Sequence, residues 1–364
     1  MGYIRKKVNY KMGRNVIIFL ALVFITYFFI FKDQDFNELG KTLSSVNPLF
    51  ILLGILLMLV YFLIESFNVK SVLKSLGENI SIFSALRYTF IGFFFSAITP
   101  AATGGQPIEA YYMVKDKISG GNATMSLLIQ LCGFQISTIL LGLTCAFLYP
   151  ELLNGALLWF FIIGIILNGF ALAVMLSFIF SRKLTEKITN KILDILTFFK
   201  AKNIDLRREA AFESIEKYKE GYTFIKAHKD VFIKSVLRVF IQILVYYSVT
   251  YCVYRAFGLD SYSIFQIIPM QAVLYTIVSG LPLPGAVGVS ETAFLVIFGS
   301  VFGTAVRGAM LVYRGISFYL FLIISLIVVM TTAKKKKSIK SEIDEQALAF
   351  EEKIRELNKS NISI

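Results

Sequence analysis

Long apolar runs separated by short charged segments make up most of this chain. Such runs lie at 15–31, 48–66, 123–149, 155–180, 232–257 and 308–332. A helix needs roughly 20 apolar residues to cross a bilayer, and these runs are close to or above that length. Two further apolar stretches, 85–100 and 263–303, are shortened or interrupted by proline and glycine. The pattern predicts an all-α polytopic membrane protein with about six to eight transmembrane helices plus one or two re-entrant broken helices.

The segment after the second run has a different pattern. Val69, Val72, Leu73 and Leu76 recur at helical spacing, and lysines lie between them. Apolar residues on one face and basic residues on the other are typical of a helix that lies in a membrane interface. The pattern therefore predicts an amphipathic helix on the cytoplasmic face over residues 67–84.

The two interrupted stretches resemble each other. Residues 97–112 read AITPAATGGQPIEAYY and residues 279–294 read SGLPLPGAVGVSETAF, so Pro100 precedes Glu109 and Pro282 precedes Glu291 by nine positions each. Backbone that leaves the helix at bilayer depth is tolerated only where protein or a water-filled cavity satisfies its polar groups. Matched breaks of this kind also occur in inverted repeats, where broken helices form a binding site near the midplane. The sequence thus predicts a site at the breaks. Region 263–303 would be either a re-entrant hairpin or two short full crossings, and the hairpin would give an inverted repeat.

Charges in the loops predict how the chain crosses the membrane. The loop 182–231 holds twelve Lys and Arg against eight Asp and Glu, and a four-lysine run begins at Lys334. Because basic loops stay in the cytoplasm, segment 85–105 must fold back without crossing, which leaves both termini cytoplasmic. We therefore expect a multi-pass plasma-membrane protein with one transmembrane domain, 1–333, and a charged cytoplasmic tail, 334–364. Within loop 182–231, aromatic and aliphatic residues at helical spacing predict an amphipathic helix.

Composition excludes several classes of function. Hydrophobic residues make up 56% of the 364 and the mean hydropathy is +0.70, which rules out a soluble globular domain. The net charge of +13 is concentrated in loops, so it sets orientation and predicts no nucleic-acid partner. Three cysteines in apolar runs and a single histidine, His228, offer neither a metal site nor a His-based catalytic group. No nucleotide-binding loop is recognisable, and we expect no cofactor.

Few charged residues lie inside the apolar sequence. Glu109 and Glu291 each follow a glycine-rich break. Each carboxylate would either compensate the dipole of its own helix, or mark a transport path by holding an amine or a proton. Arg314 lies seven residues after Arg307, about 10 Å into the last span, so its charge needs a partner such as Glu291 or a lipid phosphate. Lys115 would either contact a headgroup or lie on a solvated helix face.

These motifs resemble the flippase-like transmembrane domain of the lysylphosphatidylglycerol synthases, which also occurs as a stand-alone membrane protein. The resemblance rests on Thr99-Pro100 with Gly104-Gly105-x-Pro107, on Pro282-x-Pro284-Gly285-x-x-Gly288-x-x-Glu291, and on Tyr313-Arg314, and it covers most of residues 10–333. Ala286 stands where the family usually has a second glycine, and the proline expected after the arginine is absent. The resemblance implies a lipid translocase. Full-length members add a soluble synthase domain, which we do not recognise in this sequence.

The resemblance implies movement of a phospholipid, such as aminoacylated phosphatidylglycerol, or of a polyprenyl glycolipid between leaflets. A lipid-modifying transferase that uses Glu109 or Glu291 as general base and a proton-coupled small-solute carrier are the alternatives. A protein partner would be a second copy of the chain or a separate lipid synthase. The residues predicted to bind the lipid lie at or beside the breaks: Thr99, Pro100, Gly104, Gly105, Glu109, Lys115, Pro282, Pro284, Gly285, Gly288, Glu291 and Arg314.

Overall fold

The computed structural model describes residues 2–32, 36–99, 102–153, 155–180, 187, 223, 226–279 and 284–333, and it contains no strand among them. The helices before the large loop are α1 (Gly2–Phe31), α2 (Phe36–Ser44), α3 (Pro48–Ser75), α4 (Ile82–Ala97), α5 (Gly105–Lys115), α6 (Gly120–Leu148) and α7 (Gly155–Phe180). Those after it are α8 (Lys229–Ala256), α9 (Ile264–Ser279), α10 (Val289–Phe302) and α11 (Val306–Arg314), then a π-helix (Gly315–Tyr319) and α12 (320–333). Five described helical segments are long and apolar enough to cross a membrane.

Local sequence signals determine where several helices begin. Asn47 caps α3 by accepting the Leu49 N–H at 3.0 Å, and Pro48 occupies the first helical position, where its missing N–H does no harm. Ser81 and Ser119 cap α4 and α6 in the same way. These caps follow loops and precede apolar runs, so the chain enters each apolar helix at a defined residue.

The antiparallel pair α3 and α8 forms the centre of the fold. At one end the Asn47 N–H donates to the Ala256 carbonyl at 2.8 Å, and near the other Asn68 donates to Ser235 at 2.9 Å. The start of α3 thus lies beside the end of α8, and the end of α3 lies beside the start of α8, so the pair defines two ends of the bundle. We call them the Pro48 end and the Ser75 end of α3.

Helices α4 and α5 form a hairpin that opens at the Ser75 end. Asp116, just after α5, pairs with Arg87 in the first turns of α4 and accepts a hydrogen bond from the Tyr88 hydroxyl at 2.8 Å. Near the tip the two helices almost touch, because a β-carbon on Gly105 would lie 1.9 Å from the Ser96 Oγ. The segment therefore returns to the side from which it starts, which is the hairpin that loop charges predict for 85–105.

Helices α9 and α10 form a second hairpin, which opens at the Pro48 end. The Tyr254 hydroxyl, in the last turn of α8, accepts the Tyr262 N–H just before α9, at 3.0 Å. The Tyr254 ring also packs edge-on against Phe302 at the end of α10, with centroids 5.6 Å apart. The start of α9 and the end of α10 thus lie together, and the chain between them folds back.

The tips of the two hairpins meet inside the bundle. Phe94, Ala97 and Ile98 at the end of α4 share a buried cluster with Val287, from the break before α10, and with Phe318 of the π-helix. Two hairpins that enter from opposite ends and meet at their tips have the arrangement that discontinuous helices adopt in inverted repeats.

The predicted fold class is confirmed, and one predicted element is wrong. Residues 67–75 do not form a separate surface helix but continue α3 without a break, and Val69, Val72 and Leu73 are buried against other helices. Tertiary contacts explain the difference, because Asn68 forms buried hydrogen bonds with Gln130 and Ser235 and can therefore stay inside the bundle. The amphipathic helix predicted in 182–231 and the tail 334–364 lie outside the described residues.

Candidate functional site

A buried ion pair lies at the break that precedes α10. The Arg314 Nε donates to the Glu291 Oε1 at 2.8 Å, and the Arg314 Nη2 donates to the Gly285 carbonyl at 3.2 Å. Glu291 is 0% exposed and Arg314 is 5% exposed. A charge at this depth is tolerated when it is paired. The pairing predicted for Arg314 is thus present, and it ties the last span to the broken segment.

The other oxygen of Glu291 fixes the start of α10. It accepts the Gly288 N–H at 2.7 Å and the Ser290 hydroxyl at 2.9 Å. A glutamate in the third helical position that accepts the N–H of the capping residue is half of a capping box. Glu291 therefore caps its own helix, which is the first of the two roles that the sequence left open, and it also pairs with Arg314.

The backbone of this break is strained in a way that glycine relieves. Gly285 has φ of 58° and Gly288 has φ of 91°, values that residues with a β-carbon rarely adopt. Ala286 also has a positive φ, 50°, although it carries a β-carbon. The turn directs the Gly285 carbonyl and the Gly288 N–H at the ion pair, so the predicted glycines position backbone groups as well as break the helix.

Aromatic rings and a change of helix type surround the arginine. The Arg314 guanidinium lies 4.2 Å from the Phe318 ring centroid and 5.5 Å from that of Tyr319. Both rings belong to the π-helix, which starts at the residue after Arg314. π-Helical turns inside α-helices are frequent at functional sites. On the far side, Tyr27 of α1 packs against Tyr319 with centroids 6.0 Å apart.

Glu109 has a different environment from Glu291, despite the matched spacing in sequence. It lies in the second turn of α5 and is 5% exposed. Its Oε2 packs so closely on α4 that a β-carbon on Gly92 would lie 2.6 Å away, and its Oε1 has no hydrogen-bond partner among the described residues. Glu109 also forms no ion pair with any other residue that the structure describes. The two predicted carboxylates are therefore not equivalent.

The remaining predicted residues divide into those at the tips and one that is remote. Thr99 ties the first tip together, since its hydroxyl accepts the Gly104 N–H at 2.9 Å. Gly105 is buried at the first tip, and Pro284 is buried at the second. Lys115 is exposed at the opposite end of α5, about 15 Å along the helix from Gly105, where its Nζ lies 5.6 Å from the Tyr111 ring. Pro100 and Pro282 lie outside the described residues.

Sequence reasoning missed a second acidic residue near Glu109. Glu65 lies in α3, and its Oε2 accepts from the Gln242 Nε2 of α8 at 3.1 Å. A signal was present, because Glu65 is an acidic residue inside the apolar run 48–66. In the ranges that the structure describes, no three His, Cys, Asp or Glu side chains converge in a way that could hold a metal ion.

Comparison with known proteins supplies the family. A search of curated proteins gives no match. Residues 15–325 match the family model described as the lysylphosphatidylglycerol synthase TM region, and this match includes both hairpins, the ion pair and the π-helix. The family model thus spans most of the 364 residues, and the chain belongs to the family of the lysylphosphatidylglycerol synthase transmembrane region.

Proposed function

We propose that this protein moves a lipid with a phosphate-containing headgroup between the leaflets of the plasma membrane, and that the headgroup passes where the two hairpin tips meet. The lipid would be an aminoacylated phosphatidylglycerol or a polyprenyl-linked glycolipid. One observation carries the proposal: the buried pair of Glu291 and Arg314 lies at a helix break, beside the contact between hairpins that enter from opposite ends. Membership of a lipid-related membrane family supports the same conclusion.

The chemistry of the pair suits an exchange of anions. A guanidinium binds phosphate through parallel N–H···O bonds, as it binds a carboxylate. A phosphate that displaces the Glu291 carboxylate from Arg314 would leave the arginine paired throughout, so the buried cation would never lack an anion. Glu291 would keep the hydrogen bonds from Gly288 and Ser290. The start of α10 adds a favourable end of a helix dipole for an anion.

An apolar groove supports a lipid rather than a small polar solute. The groove runs between α2, α3 and the π-helix, and its lining includes Leu43, Val46, Leu52 and Ile316. It also reaches Gly315, the residue that follows Arg314. Acyl chains need an apolar surface of this kind while the headgroup occupies a polar site.

Leaflet-resolved lipid labelling tests the proposal. Fluorescent phosphatidylglycerol is placed in both leaflets of proteoliposomes, and a membrane-impermeant quencher reports how fast inner-leaflet lipid reaches the outer leaflet. We expect the wild-type protein to accelerate this movement, and Glu291→Gln and Arg314→Ala to slow it at least about tenfold, which corresponds to about 1.4 kcal/mol of lost interaction. Asp230→Asn is the matched control, because it removes a charge from an exposed pair with Lys234.

Two results would contradict the proposal. One is a wild-type rate equal to that of protein-free vesicles. The other is an equal rate in wild type, Glu291→Gln and Arg314→Ala. A mass-spectrometric comparison of lipids from cells with and without the protein separates the translocase from a lipid-modifying transferase, since only loss of the transferase removes a lipid species.

A further inference from the structure

Glu65 and Glu109 lie at the same level of the bundle, away from the ion pair. Val69 and Met113, one turn after each of them, share a buried cluster at the Ser75 end of α3. One turn back from that cluster, the two carboxylates occupy corresponding positions on α3 and α5, and both adjoin α4, since Ser66 donates to Thr89 at 3.2 Å and Glu109 packs on Gly92. Glu109 is 5% exposed, whereas Glu65 is only partly buried.

Among the described residues, the two carboxylates accept few hydrogen bonds. Glu65 and Glu109 contribute four carboxylate oxygens, and the described donor to them is the Gln242 side-chain amide. Among the described residues, the Glu109 Oε1 and the Gln242 Oε1 are buried without a partner. Flipping the Gln242 side-chain amide does not remove this excess of acceptors over donors. A buried acceptor without a donor is unfavourable, and two carboxylates without a cation are more so.

The nearby cations are engaged elsewhere. The titratable or charged side chains on the helices packed around the pair include Tyr61, Arg87, Tyr88, Tyr112, Asp116, Arg238, Tyr246 and Tyr275. Arg87 pairs with Asp116. Arg238 donates to the Asn68 Oδ1 at 3.4 Å and lies over the Phe67 ring. Neither arginine forms an ion pair with Glu65 or Glu109 in the described part of the chain.

We propose that Glu65 and Glu109 form a membrane-embedded proton-binding site in which at least one of the two carboxyl groups is protonated at neutral pH. A bound proton supplies the missing donor and removes one of two like charges in a low-dielectric environment. The proton would enter at Glu65, which is partly exposed, and Glu109 would be the inner position. The proposal goes beyond lipid movement, because the site depends only on the side chains of this chain.

Infrared difference spectroscopy of the purified protein tests the site without any transport. At neutral pH we expect the carbonyl band of a protonated carboxylic acid, weaker in Glu65→Gln or Glu109→Gln and lost in the double variant. Glutamine keeps the shape of glutamate, and size-exclusion chromatography with circular dichroism confirms that each variant is folded. Asp230→Asn, which alters an exposed carboxylate, should leave the band unchanged.

Three outcomes would overturn the proposal. The first is a band that the double variant retains in full. The second is the absence of any protonated-acid band from the wild type at neutral pH. The third is a band that disappears on addition of sodium at constant pH, because the pair would then bind a metal cation. A positive spectrum with no lipid movement would reject the translocase and keep the proton site, so the two failures are distinguishable.

Discussion

The contact between α4 and α5 predicts that Gly105→Ala destabilises the protein. An alanine β-carbon would lie 1.9 Å from the Ser96 Oγ, 2.8 Å from the Gly92 carbonyl oxygen and 3.1 Å from the Ser96 Cβ. The hydroxyl can rotate away, but the carbonyl oxygen belongs to the backbone of α4, so the two helices must move apart. Forcing an extra carbon into a packed interface typically costs 1–3 kcal/mol, and we expect a loss of about 2–3 kcal/mol.

Unfolding free energies measured in bicelles check this value, and Gly299→Ala is the control. Gly299 lies inside α10 with no atom within 4 Å of an added β-carbon, so alanine there should change stability by no more than about 1 kcal/mol, in the stabilising direction. Ser96→Ala in the Gly105→Ala background should recover only part of the loss, because the Gly92 carbonyl remains. A Gly105→Ala protein as stable as the wild type would refute the close approach of the two helices.

Three further predictions concern the ion pair, the strained turn and the opposite entry of the hairpins. Glu291→Gln and Arg314→Gln should each lower the unfolding free energy by about 3–5 kcal/mol. The double variant should lose clearly less than the sum of the two single losses, and additive losses in this double-mutant cycle would argue against a direct pair. Gly288→Ala should cost about 1–3 kcal/mol in a thermal or denaturant unfolding assay, since φ is 91° there; an unchanged midpoint would show that the turn relaxes freely. Lys115 and Thr304 are exposed, and the native cysteines are buried. Lys115→Cys and Thr304→Cys should therefore react with a membrane-impermeant thiol reagent from opposite faces of the membrane. Labelling of both from one face would contradict the two-sided arrangement.

The breaks and the ion pair were predictable because their signals are local. Proline and glycine inside apolar sequence predict a broken helix, and a charge about 10 Å inside a span predicts a partner. The structure places Glu291 and Arg314 in contact, as this reasoning expects. The matched spacing of Glu109 and Glu291 was misleading in one respect, since only Glu291 lies at the start of its helix and caps it.

What the sequence did not reveal depends on contacts between distant segments. The lysines after residue 66 predict a surface helix, but Asn68 finds Gln130, 62 residues away, and α3 continues into the bundle. Glu65 likewise gains importance only because α8 brings Gln242 to it, 177 residues along the chain. Periodicity reports which face of a helix is apolar but not which helix covers it.

Photo-crosslinking shows directly whether a lipid headgroup binds where the two hairpin tips meet. A phosphatidylglycerol analogue with a diazirine on its headgroup is irradiated in proteoliposomes, and its adducts are mapped by mass spectrometry. We expect adducts at the two tips, residues 94–98 and 284–289, and we expect them to be lost in Arg314→Gln and kept in Asp230→Asn. Adducts confined to exposed apolar positions such as Trp159 and Phe265, with none at the tips, would contradict it.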